Sequence, residues 1–136
     1  SNTTQTFNIT IPAGIKQLKI TLAWTDPAAL PNTNKALIND LDLLLEQNTG
    51  GQTWQPWVLS TFPHKDSIEK AAVRKKDTLN TVEQISINDP QPGSYTIRVS
   101  SGALRTASQN FSIAWQLDSV ETFQWYYPSK NDHLLL

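Results

Sequence analysis

Apolar and polar residues alternate with a period of two along most of this chain. In residues 18–24 (LKITLAW), Leu18, Ile20, Leu22 and Trp24 share one side and Lys19 and Thr21 the other. That pattern predicts a strand with one buried face, and it places Trp24 in the core. Pro27 lacks an amide hydrogen and restricts Asp26 before it, so the strand stops at Thr25-Asp26. Upstream, Phe7, Ile9 and Ile11 alternate over residues 6–11, and Pro12-Ala13-Gly14 turns the chain. The two segments read as neighbouring strands.

Residues 40–46 put Leu41, Leu43 and Leu45 on one face and Asp40 and Asp42 on the other. Asn48-Thr49-Gly50-Gly51 predicts a hairpin turn, with a return strand over residues 53–59 in which Pro56 marks an edge or a bulge. Residues 60–80 lose the alternation and read as a long structured loop. A short helical turn over residues 67–74, capped by Asp66 and Glu69, is the only helix expected there. Strand character returns over residues 82–87, 95–99 and 110–117, and residues 120–127 read as a last aromatic-rich strand with apolar residues at both parities.

About eight short strands separated by Gly, Pro and Asn turns predict an all-β fold, an antiparallel β-sandwich of the jelly-roll kind. One domain is expected over residues 1–127. Residues 128–136 (PSKNDHLLL) read as a linker toward a following domain outside this chain. With no methionine and no signal peptide among its 136 residues, the chain is expected to be a piece of a longer protein.

Composition narrows the function. Eleven basic residues nearly balance twelve acidic ones, which argues against a nucleic-acid binder. No run of about twenty apolar residues is present, so no helical membrane span is expected. Cysteine is absent, which removes disulfides and thiolate metal sites.

Four ordered blocks, residues 18–27 (LKITLAWTDP), 37–45 (LINDLDLLL), 80–87 (NTVEQISI) and 92–99 (PGSYTIRV), carry a resemblance over nearly the whole chain. They resemble the β-sandwich domain that follows the catalytic domain in many bacterial subtilisin-like serine peptidases, related in architecture to the P domain of proprotein convertases. The resemblance implies a secreted or cell-surface accessory domain partnered by the catalytic domain of its own polypeptide, and the amphipathic strands with their aromatic core are expected to fold alone as a monomer. The tail (FQWYYPSKNDHL) is similar to the bridge toward an immunoglobulin-like or sorting domain. Some members carry an Asp-rich calcium loop before the NxVE block. Here residues 65–77 depart from that pattern, with Lys65, Lys70, Arg74, Lys75 and Lys76 among three acids.

No catalytic role is expected of the chain itself. His64 lies between Pro63 and Lys65, His133 lies in the tail, and no G-x-S-x-G elbow or other nucleophile framework accompanies them. The better candidate is a structural calcium ion. Asp40 and Asp42 stand roughly 7 Å apart on one strand face, and Asp77, Asn80 and Glu83 form a D-x-x-N-x-x-E run in which Glu83 is in phase with inward Ile85 and Ile87. Oxygen donors without cysteine or a histidine pair suit calcium and not zinc. The alternative is that Glu83 pairs with Arg74 or a lysine while Asp40 and Asp42 cap loop amides. A rival function is an extracellular binding module for glycan or protein. Trp54 and Trp57 have opposite strand parity, so packing is expected of them and not a shared sugar-stacking face.

Overall fold

The computed structural model describes residues 3–29, 31, 37–60, 65–102, 104–119, 123–126 and 133–135. Its strands are β1 (Thr3–Ile11), β2 (Ile15–Trp24), β3 (Leu41–Gln47), β4 (Thr53–Trp54), β5 (Trp57–Val58), β6 (Val73–Arg74), β7 (Val82–Asn88), β8 (Gly93–Ser101), β9 (Ser108–Ser119), β10 (Phe123–Tyr126) and β11 (His133–Leu135). One helical turn, α1 (Lys65–Ile68), interrupts them. Two antiparallel sheets face each other, β1-β8-β3-β4 and β10-β9-β2-β7, and β5 and β6 form a separate two-stranded ribbon. The fold is an antiparallel β-sandwich.

The alternating residues meet between the sheets as expected. Leu18, Ile20 and Leu22 of β2, Leu41 and Leu45 of β3 and Ile97 and Val99 of β8 are wholly buried. Phe7 of β1 meets Phe111 of β9 edge to face, with ring centroids 6.3 Å apart, so an aromatic contact ties one sheet to the other. Tyr95 buries its ring and donates its hydroxyl to the Gln91 carbonyl at 2.8 Å, which fixes the turn before β8.

Several local expectations change. β1 and β2 do not pair. β1 lies on β8, with Phe7 opposite Ile97, while β2 runs between β7 and β9, with Ile20 opposite both Ile85 and Trp115. Alternation states which face of a strand is buried but not which strand lies beside it. The turn at Gly14, where φ is +88°, carries the chain from one sheet to the other. Pro56 splits the expected return strand into β4 and β5, since proline can donate to no ladder. The helical turn ends at Ile68, and Val73–Arg74 pairs as strand with β5. Within the stretch expected as a linker, His133–Leu135 forms β11 on β9, with Leu134 opposite Gln109.

Candidate functional site

A group of interacting charged side chains, Asp40, Asp42, Lys76 and Glu83, lies where an edge of each sheet comes together. β4 covers β3 only at Leu45 and Glu46, so among the described residues the Leu41–Leu43 part of β3 has no strand on that side. β7 is the edge strand of the other sheet. Glu83 points inward from β7 in phase with Ile85 and is 1% exposed. Its Oε2 accepts the Leu43 backbone N–H at 2.7 Å, doing for β3 what a neighbouring strand's carbonyl would do.

That position is costly for a charge. Burial, opposed by the Leu43 hydrogen bond and reinforced by Asp42, Asp77 and Asp40, raises the Glu83 carboxyl from 4.5 to about 8. Asp42 is partly covered, and its Oδ2 meets Lys76 Nζ at 2.9 Å. Burial outweighs this partner and still raises the Asp42 carboxyl. Lys76 is raised in turn by its hydrogen bond to Asp42 and by the field of Asp42, Asp40 and Glu83. Its backbone is positioned next door, where the Lys75 N–H donates to the Pro56 carbonyl at 3.0 Å. A cavity of about 190 Å³ opens here, lined by Asp42, Leu43, Leu44, Gln55, Pro56, Lys76, Glu83 and Ser100.

The five residues singled out as calcium ligands therefore divide. Asp42 and Glu83 line one cavity, and Asp40, at the entrance to β3, adds to the field there. Asp77 and Asn80 close a turn on themselves: Asp77 Oδ1 accepts the Leu79 and Asn80 N–H groups at 2.9 and 3.2 Å, and Asp77 Oδ2 accepts Asn80 Nδ2 at 2.8 Å. Among the described residues, no group of three or more His, Cys, Asp or Glu side chains is placed to hold a metal ion. Glu83 does not pair with Arg74. That guanidinium stacks over Trp57 at 4.0 Å and donates to the carbonyls of Gln55 and Ser86.

Trp54 packs its half-buried ring against Tyr95, with centroids 6.0 Å apart, while Trp57 is 40% exposed and donates Nε1 to Ser86 Oγ at 2.8 Å. Arg74 covers one face of Trp57, so the two indoles form no joint platform. His64 lies outside the described residues.

A second polar cluster was missed by the sequence reading. Asp26 accepts the backbone N–H groups of Ile38 and Asn39, each at 2.7 Å. Asn39, wholly buried, donates Nδ2 to Thr106 Oγ1 at 2.7 Å and to Gln109 Oε1 at 2.8 Å and accepts the Arg105 N–H at 2.9 Å. The signal was present: Asp26 and Asn39 flank the loop between β2 and β3, and both residue types bond readily to nearby backbone. Asp26 finds its partners 12 and 13 positions away, but those of Asn39 lie 66 to 70 positions away, and nothing local reveals them.

No family model matches the chain. The serine protease/ABC transporter B family protein tagA of Dictyostelium discoideum is 34% identical over 98 residues, covering 71% of this chain and 5% of its own length. The serine protease/ABC transporter B family protein tagD of the same organism is 26% identical over 121 residues, covering 82% of this chain and 6% of its own length. The chain thus spans about a twentieth of the length of these curated relatives. Both relatives are eukaryotic, whereas the motif resemblance pointed to bacterial peptidases.

Proposed function

We propose that this chain is a non-catalytic accessory domain of a larger serine-protease-related polypeptide, secreted or displayed at the cell surface, that packs against or orients the catalytic domain. The observation that carries this reading is the similarity to one short stretch of two proteins named as serine proteases. The fold supports it, because a rigid two-sheet sandwich with an aromatic bridge between its layers suits a scaffold. The polar chemistry supports it too. The two buried clusters hold backbone amides and loop segments in place, which is what a structural role requires.

The test has two arms. The purified chain is incubated with casein and with chromogenic peptides, and no cleavage is expected. The parent enzyme is then assayed for thermal inactivation with and without this segment, and earlier inactivation is expected when it is missing. Peptidase activity that follows the chain through repurification and disappears on mutating one of its serines would overturn the reading.

A further inference from the structure

Two buried oxygens at the sheet corner have no hydrogen-bond partner: Oε1 of Glu83 and Oδ1 of Asp42. Both belong to residues that line the cavity of about 190 Å³. An orphaned carboxyl oxygen in a buried site is destabilising, more so when charged, so such a pair marks a place built to receive a donor or a cation. The group nearest to doing so is Lys76. Its ammonium touches Asp42 Oδ2 and stands within the field of Asp40 and Glu83.

This contact differs from an ordinary surface ion pair. Exposed pairs contribute little because water screens both ends. Here the lysine side chain is 54% exposed but the Asp42 side chain only 21%, and Glu83 behind it is 1% exposed. The cation end is open to solvent while the anion end is covered. Removing the lysine leaves buried carboxyl oxygens uncompensated, and another positive group has an open way in.

We propose that the Asp42–Glu83 corner is a cation-binding pocket whose resident occupant is the protein's own Lys76 ammonium, a tethered ligand that an external cation must displace. The chemistry of the ligand is a compact cation that accepts oxygen lone pairs. An alkylammonium lays its stem on Leu44 and Pro56 and directs its N–H donors at the acids, and a divalent ion takes the same oxygens with water to complete its shell. The inference does not depend on the accessory-domain reading.

The experiment is chemical rescue of Lys76→Ala at about pH 9, where the Glu83 carboxyl, raised to about 8, is ionised, read by the melting temperature of the chelator-stripped 136-residue chain. Lys76→Ala is expected to melt several degrees below the unmodified chain. Millimolar n-propylammonium or calcium should restore at least half of that loss, while choline at equal ionic strength should not. The unmodified chain should respond to neither, because Lys76 already fills the position. Adding Asp42→Asn to Lys76→Ala should remove the rescue. Lys76→Gln keeps most of the stem and serves the same titration if the alanine variant does not fold. Rescue by propylammonium alone identifies an amine pocket and rescue by calcium alone a metal pocket. An equal calcium response in the unmodified chain and in Lys76→Ala would overturn the proposal, and so would the failure of every cation to raise either variant.

Discussion

The indole Nε1 of Trp24 donates a hydrogen bond to the backbone carbonyl of Asn39 at 3.0 Å. Trp24 ends β2 and Asn39 stands just before β3, so this bond joins strands of opposite sheets across the loop between them. Asp26 and Asn39 complete the junction with bonds to backbone amides on either side. The first two of the four sequence blocks that carry the motif resemblance thus meet at one point in space.

Trp24 contributes through packing and through this bond, and substitutions separate the two. Trp24→Ala is expected to destabilise the chain by about 3–5 kcal/mol, the usual cost of emptying a large aromatic site. Trp24→Phe keeps much of the volume but leaves the Asn39 carbonyl without its donor, for a loss nearer 1–2 kcal/mol. Urea unfolding with an unchanged m-value measures both. Equal losses would mean that the hydrogen bond, and not the packing, dominates.

Asp26→Ala takes the acceptor away from two amide groups at once. A loss of about 2–3 kcal/mol is expected, since hydrogen bonds to a charged acceptor are the stronger kind. The amides of Ile38 and Asn39 should exchange with solvent faster than those of β2. Hydrogen exchange resolved by residue checks this, and unchanged protection at both amides would contradict it.

Glu83 makes stability depend on pH with a definite sign. Its carboxyl is raised to about 8 in the folded chain against an ordinary 4.5, so the folded state holds this proton more tightly than the unfolded state. The contribution is full below about 4.5, falls as pH rises and is gone above about 8. Asp42, also raised, acts in the same direction. Each unit corresponds to about 1.4 kcal/mol. Glu83→Gln cannot ionise, so its stability should be much flatter over that window. Denaturant titrations across it make the comparison, and parallel slopes for the two proteins would refute the assignment.

Arg74 fastens the β5–β6 ribbon to β7 through Trp57 and through the Ser86 and Gln55 carbonyls. Arg74→Ala should loosen this ribbon while leaving the sandwich intact. Limited proteolysis is expected to cut sooner within residues 57–75, with the melting temperature changed by little. Cleavage first in β2 or β9 would show that the arginine supports the whole fold instead.

Much of the fold was legible because burial on one face writes itself into a strand as alternation. Leu18, Ile20, Leu22 and Trp24 announced both their strand and their core position, as did Leu41, Leu43 and Leu45. The inward direction of Glu83 followed from its phase with Ile85. Proline and glycine marked the breaks, since their backbone limits are local properties. Pairing belongs to the tertiary structure. Nothing in residues 6–24 states that β1 would seek β8 while β2 lay between β7 and β9, because alternation leaves partner and register open. Charge pairing was hidden for the same reason: Lys76 and Asp42 lie 2.9 Å apart only because the segment after β6 runs beside the uncovered edge of β3. The sequence by itself determined which residues would be buried and where strands would end. Only the packing of two sheets decided which acids share a corner and which cation stands among them, because electrostatic energy depends on distance in space and not on separation along the chain.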